Sequence, residues 1–442
     1  MKTLISTTVL LLSVFLISCN PNETTPLPNV ILIMADDMGY ECVGSYGSES
    51  YETPNLDQLA SEGIQFSTCI AQPLCTPSRV KIMTGKYNYR NYEYFGHLDL
   101  GQYTFGNLFK DAGYSTCIAG KWQLNGLSYK DILTDWNDAT RPNQFGFDEY
   151  SLWQLTQERS KGERFANPLI EQNGELLERN TDDYGPDIFA NFILDFIERK
   201  KDGPFFVYYP MVLVHDPFVP TPDSDNWQDQ NERYRNDTTY FKDMVTYTDK
   251  IVGKIADQLK ALNIEENTLL IFTADNGTHP TIYSRTNGKI IQGGKGNTTD
   301  AGTLVPLIAK WPTMIKESSV FDGIIEFSDF FPTLADIVGK EVTTDGHSFY
   351  PLLLDQEYTP RETAFVHYDP KWGANVSQYR NQFARTVEYK LYQDGKFYHL
   401  PSDPLEQNPL GLDSLSNEVL RIKKNLENEL KRHPEWEISM DK

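Results

Sequence analysis

An α/β fold with a largely parallel sheet is the architecture this sequence predicts, and two patterns carry the prediction. Asn29 to Ala35 (NVILIMA), Phe205 to Val214 (FFVYYPMVLV) and Thr268 to Ala274 (TLLIFTA) are short, continuous apolar runs, the texture of strands buried on both faces. Between them lie stretches whose apolar residues recur at helical spacing. Buried strands alternating with amphipathic helices build a sheet covered by helices. The sequence shows no internal repeat and no low-complexity tract.

The elements follow in order. Met1-Lys2 opens a short basic start and Val9 to Ile17 is mostly apolar, too short a run to span a membrane with these flanks. Leu16-Ile17-Ser18-Cys19 resembles a bacterial lipobox. That implies a lipoprotein signal peptide at 1–18, a lipid anchor at Cys19, a tether at 19–28, and an exported lipoprotein in the periplasm or on the outer-membrane surface. Asn29 to Ala35 is the first strand of a domain expected over 29–355. After Pro54, the residues Leu56, Leu59 and Ile64 suggest a short helix. Ile188, Phe189, Phe192, Ile193 and Phe196 form one helical stripe, and Ile251, Ile255, Leu259 and Leu262 another. Near residue 355 the texture changes, and 356–442 reads as a small α+β subdomain. Glu388 to Leu391 and Lys396 to Leu400 flank Gln393-Asp394-Gly395, a hairpin around an Asp-Gly turn. Val419, Ile422, Leu426 and Leu430 then mark a final helix.

Composition bounds the function. The chain has 442 residues, 39% hydrophobic and 13% aromatic, with a formal net charge of −22. It is globular, and its acidity argues against nucleic acid as a partner. An anionic substrate would have to be drawn by local cations. With Cys19 set aside, Cys42, Cys69, Cys75 and Cys117 remain. Buried free thiols are the default expectation for them.

Asp36-Asp37 directly follows the first predicted strand, and Asp275-Asn276-Gly277 directly follows the strand ending at Ala274. In open parallel sheets ligands sit at the carboxyl ends of strands. Adjacent carboxylates repel unless a cation lies between them. Oxygen donors without His or Cys neighbours suit a hard cation such as Ca²⁺ or Mg²⁺.

Cys75-Thr76-Pro77-Ser78-Arg79, continuing through Lys81-Ile82-Met83-Thr84-Gly85-Lys86-Tyr87, resembles the maturation signal of type I sulfatases. The resemblance runs from about residue 28 to about residue 410. It implies an alkaline-phosphatase-like fold and an enzyme that removes sulfate from an ester, here a sulfated carbohydrate. It also implies oxidation of Cys75 to formylglycine by a maturase before folding, so that a hydroxyl of the hydrated aldehyde attacks sulfur. Asp36, Asp37, Asp275 and Asn276 match the family's Ca²⁺ ligands, with residue 75 as a further ligand. Arg79 matches the residue that holds this environment in place. Gly120-Lys121-Trp122, His215-Asp216-Pro217-Phe218 and Gly293-Gly294-Lys295-Gly296 match further motifs. They imply Lys121 and Lys295 as sulfate-binding cations; the leaving alcohol needs a proton that a His or Lys could supply, and His215 is the expected acid with Lys295 as helper. Fixed cations suit a transferring group that spreads negative charge over its oxygens.

Two departures stand out. Gln123 occupies a position where the family has His, and Gln hydrogen-bonds without titrating. Asp300-Ala301-Gly302-Thr303-Leu304-Val305-Pro306 lacks the Arg of the family's corresponding segment. His279, three residues after Asn276, is an expected substrate contact beside Gln123, with Arg90-Asn91 and Trp153 as lesser candidates. Aromatics from Tyr87 to Phe95 suit either sugar stacking or core packing. The competing readings are a phosphate or phosphonate ester hydrolase of the same fold, separated by sulfate-to-phosphate preference, and a surface lectin that binds sulfated glycans without turnover. A phosphoethanolamine-type transferase would need membrane spans that the sequence lacks.

Overall fold

The computed structural model describes residues 27–434 apart from 93, 158–160, 370, 373–374, 377–379, 412 and 414. The signal peptide and lipid anchor expected at residues 1–19 lie outside the described residues.

Asn29–Ala35 is a strand buried at every position. It lies between Phe205–Pro210 and Thr268–Ala274 and runs parallel to both, with Val30 opposite Phe206 and Leu269. Ser115–Lys121 continues the sheet in parallel beside Phe205–Pro210, and Glu149–Trp153 lies beyond it. On the other side Leu307–Lys310 pairs antiparallel with both Thr268–Ala274 and Ile64–Ile70. The whole is an 11-stranded sheet. Its central strands are apolar along their full length because helices cover both faces, leaving no face for polar residues.

The helices are where the periodicity places them. Gly185–Lys200 begins with Pro186 in its first turn and buries Phe189, Ile193, Phe196 and Ile197. Phe241–Ala261 buries Val245, Ile251, Val252, Ile255 and Leu259. Two boundaries differ from the sequence expectation. The helix after Thr53 spans Pro54–Ser61, and Ile64 starts a strand instead of ending that helix. Gly63 marks the break: a Cβ there would lie 2.2 Å from the Ala309 carbonyl oxygen, so the chain turns where a neighbouring strand presses close. The strand expected through Val214 stops at Pro210, which has no amide to extend the ladder. The chain still follows the first strand beyond it, through Met211 N to Met34 O at 2.8 Å and Val214 N to Asp36 O at 2.7 Å.

Towards the C-terminus, Ala364–Tyr368, Asn381–Arg385, Tyr389–Tyr392 and Phe397–His399 form a four-stranded antiparallel sheet. Gly395, at φ 89°, makes its last turn. The helix Asn417–Lys431 is capped by Ser416, whose hydroxyl accepts from Val419 N, and it lays Leu426 against Ala384, Leu391 and Phe397. Elsewhere Val366, Phe383 and Tyr392 pack with Ile70 and Leu74. The small sheet is therefore wedged against the segment that leads into Cys75. Cys42, Cys69, Cys75 and Cys117 are all free and buried. No helix among the described residues is long and apolar enough to cross a membrane.

Candidate functional site

Parallel strands that share a direction deliver their carboxyl ends to one rim. Asp36 and Asp37 follow Ala35, Asp275 and Asn276 follow Ala274, and Lys121 ends its strand; all are buried. Asp37 N donates to Asp275 Oδ1 at 3.0 Å and Asn276 Nδ2 to Asp37 Oδ1 at 2.9 Å. Asp37 sits at φ 63°, a left-handed conformation that Asp tolerates better than most residues. It lets consecutive carboxylates face the same hollow.

Three buried carboxylates would not stay ionised together without compensation. Lys121 Nζ lies 2.7 Å and 2.9 Å from the two Asp36 oxygens. Arg164 reaches Asp36 Oδ2 at 3.3 Å. Arg79 spans the site, donating to Asp275 Oδ2 at 3.2 Å and to the Lys121 carbonyl at 2.7 Å. Burial alone would raise the Asp36 carboxyl, but Lys121, Arg79 and Arg164 overcome it and hold it at about 2. Burial, and then the charge of Asp36, push Asp275 up to about 7 against the pull of Arg79 and Lys121.

Cys75 is the first residue of the helix Cys75–Thr84, which is buried along its whole length. A helix N-terminus favours negative charge, so the peptide dipoles would favour an anionic group at position 75. Ser78 Oγ accepts from Gln72 N at 3.0 Å and donates to the Asp275 carbonyl at 2.5 Å, fastening the first turn to the end of the strand Thr268–Ala274. Cys75 Sγ and carboxylate oxygens of Asp36 and Asp275 lie within 4.8 Å of one another. The Cys75 thiol points to Gln123 Oε1 at 3.8 Å.

On the other side of Asp37, Lys295 Nζ lies 2.5 Å from Asp37 Oδ2 and 2.9 Å from His215 Nε2. His215 Nδ1 is 2.7 Å from the Asp216 carbonyl and 2.9 Å from its carboxylate. This arrangement protonates Nδ1 and leaves Nε2 as the acceptor for Lys295. Burial would lower Lys295, yet Asp37 and its other anionic neighbours raise it. Gly293 and Gly294 let the loop carrying Lys295 press close, since a Cβ on either would lie 2.3 Å or 2.6 Å from backbone of 279 or 301. Gly296 N then donates to Pro73 O at 2.8 Å, joining this loop to the approach to Cys75.

The donors fit a hard divalent cation. Asp36, Asp37 and Asp275 supply carboxylates, and the buried Asn276 Oδ1 has no hydrogen-bond partner among the described residues. An amide oxygen left unpaired beside carboxylates is a ready ligand for such a cation.

The structure thus gathers Asp36, Asp37, Cys75, Arg79, Lys121, Gln123, His215, Asp275, Asn276 and Lys295 at one rim. His279 sits edge-on to Phe218 at 5.6 Å, with Nδ1 bonded to Thr281 Oγ1 at 2.9 Å in its own turn. Trp153 is buried beneath the guanidinium of Arg164, 4.0 Å from the ring centre. Arg90 pairs with Asp345. Sequence reasoning missed Arg164 and the orienting role of Asp216. Asp216 lies inside the quoted His-Asp-Pro-Phe segment and was open to such a reading; Arg164 lies in no motif.

The sulfatase family model matches residues 28–340. A C-terminal model described as that of N-sulphoglucosamine sulphohydrolase matches residues 298–435. Human arylsulfatase A is 31% identical over 406 residues, covering 83% of this chain and 74% of its own. N-acetylgalactosamine-6-O-sulfatase of Bacteroides thetaiotaomicron is 29% identical over 417 residues, covering 77% and 79%. The phosphonate monoester hydrolase of Agrobacterium radiobacter superposes with a TM-score of 0.68 at 19% identity, over 92% of this chain and 95% of the other. That likeness shows the shared alkaline-phosphatase-like fold.

Proposed function

The chain belongs to the sulfatase family, and from that premise we propose that it hydrolyses a sulfate ester on a carbohydrate with a nucleophile made by oxidation of Cys75. The observation that carries this reading is the convergence of Cys75 Sγ with Asp36 and Asp275 inside 4.8 Å, at a helix N-terminus ringed by Lys121, Arg79, Arg164 and Lys295. The carbohydrate class rests on the N-acetylgalactosamine-6-O-sulfatase relative.

The chain's own residues divide the work. Asp36, Asp37, Asp275 and Asn276 would hold Ca²⁺ or, failing that, Mg²⁺. When present, the cation polarises a sulfate oxygen and favours an ionised attacking hydroxyl, which the formylglycine hydrate at position 75 supplies. Lys121 and Lys295 flank the hollow with positive charge, so the oxygens of the transferring group gain their stabilisation without reorganisation of the site. Arg79 holds Asp275 and the Lys121 backbone in register. His215 and Lys295 share a proton between Nε2 and Nζ, and Asp216 fixes the ring. That pair delivers a proton to the departing sugar oxygen. Gln123 orients the group at position 75 by hydrogen bonding and takes no proton itself.

Export as a lipoprotein anchored at Cys19 completes the reading, supported by the lipobox-like Leu16-Ile17-Ser18-Cys19. The test is free sulfate released from a panel of sulfated glycan fragments, with matched phosphate esters and a Cys75→Ala control. Sulfate release by the wild type alone supports the reading. Faster hydrolysis of the phosphate esters, or glycan binding with no release by fully converted enzyme, overturns it.

A further inference from the structure

Beside the Cys75 helix lies a cavity of about 530 Å³ whose lining includes Pro77, Tyr89, Tyr92, Tyr94, His97 and Asp369. The size falls within the ~300–1,000 Å³ range of small-molecule sites. The cavity adjoins the catalytic rim. Pro77 belongs to the first turn after Cys75, and the Tyr92 hydroxyl is 2.6 Å from Thr76 Oγ1. The segment carrying His97 runs along the strand end that carries Gln123, with Leu98 N to Leu124 O at 3.0 Å and Gly126 N to Gly96 O at 2.6 Å.

Its chemistry differs from that of the rim. Of the aromatics from Tyr87 to Phe95, Tyr87 is buried against Phe365, whereas Tyr89, Tyr92 and Tyr94 face the cavity. They bring aromatic surface to the lining, suited to the C–H face of a pyranose; the Tyr92 hydroxyl is held by Thr76 and that of Tyr89 lies 3.4 Å from His433 Nδ1. The lining also carries two carboxylates, Asp99 and Asp369, of which Asp369 is paired with Arg380 at 2.8 Å. Its arginine, Arg90, is drawn to Asp345. A second sulfate or a uronate would meet Asp99 unfavourably, while neutral hydroxyls would donate to it.

We propose that this cavity is a second sugar subsite, taking an uncharged pyranose linked to the sulfated one. The proposal rests on the sulfatase reading above. It makes the enzyme selective for oligosaccharides over sulfated monosaccharides and places part of that selectivity on Tyr94 and Asp99, outside the catalytic rim.

The test compares kcat/KM of the matured wild type on N-acetylgalactosamine 6-sulfate alone and linked to a neutral sugar, with 4-nitrophenyl sulfate as a substrate lacking both sugars. The disaccharide is expected to exceed the monosaccharide by about tenfold, near the free energy of one aromatic stacking contact. Tyr94→Ala and Asp99→Ala should each remove most of that gain. Equal values for the two sugars, or variants that slow both substrates alike, overturn the subsite while 4-nitrophenyl sulfate turnover leaves the sulfatase reading standing. No sulfate from any of the three overturns the sulfatase reading instead. The subsite is then decided by calorimetry of the unsulfated disaccharide on Cys75→Ala protein. Binding weakened about tenfold by Tyr94→Ala supports it, and absence of binding overturns it.

Discussion

Lys121 shows most clearly what one side chain does here. It grips both oxygens of Asp36, and in the proposed function it also meets the charge of a transferring sulfuryl group. Lys121→Ala removes both functions, and sulfate turnover should fall by about 10²–10³ in kcat, the usual cost of losing one preorganised donor. A loss confined to KM would mean that Lys121 only binds ground-state substrate. Gln123 gives the complementary prediction. Its amide accepts from the Cys75 thiol but cannot titrate. A Gln123→His variant should therefore add an ionisation near pH ~6.5 to the kcat profile that the wild type lacks. Superimposable profiles would show that position 123 does not communicate with the reacting group.

At the scale of elements, the loop that carries Lys295 is bolted to the C-terminal sheet. Arg385 Nη1 pairs with Asp300 Oδ1 at 2.6 Å, and Lys390 donates to Thr298 O at 2.5 Å and to Glu406 at 2.9 Å. The segment that lacks the family's arginine thus finds one from the following sheet. Burial would raise the Asp300 carboxyl, but Arg385 and Lys390 overcome it and hold it below its ordinary value. A carboxyl depressed on folding stabilises the protein above its unfolded pKa of 3.8, and that stabilisation is lost as pH falls below it. Arg385→Met should destabilise the protein at neutral pH, because Lys390 at 3.5 Å is then left to compensate Asp300, and clearly less near pH 3, as measured by urea denaturation. An equal cost at both pH values would remove the ion pair from the account.

These same elements mark how far the sequence could be read. The buried strands were legible because residues covered on both faces leave no polar positions; Asp36, Asp37, Asp275 and Asn276 stood out because they follow two of those strands, while Cys75, Arg79, Lys121, His215 and Lys295 were named only through the resemblance to sulfatases. Ile64 was misread because apolar spacing alone does not reveal that Gly63 presses against Ala309. Arg164 stayed hidden because nothing near it in sequence differs from a surface arginine, and its partner Asp36 lies 128 residues away. The Arg385–Asp300 pair, 85 residues apart, was invisible for the same reason.

For the whole molecule, charge and metal set the behaviour. A net charge of −22 would oppose the approach of an anionic glycan, and the rim cations Arg79, Lys121 and Arg164 are buried and paired. Raising salt from ~0.01 M to ~0.1 M shortens the Debye length from about 30 Å to about 10 Å, so kcat/KM on a sulfated sugar should rise over that range. A steep fall would place an exposed basic steering surface where none is expected. Removing divalent cation with a chelator should lower the melting temperature and abolish turnover, with Ca²⁺ restoring both. At 100 times its Kd a bound ion contributes about 2.7 kcal/mol, and a melting curve indifferent to chelation would empty the carboxylate hollow of its proposed role.

The central claim is that residue 75 acts as an oxidised cysteine. The measurement that tests it most directly is the mass of the peptide carrying residue 75, taken on the same preparations whose sulfate release is assayed across a range of maturation. Specific activity should rise in proportion to the aldehyde fraction and extrapolate to zero for the thiol form. Activity independent of that fraction, with the thiol of Cys75 intact, would contradict the account.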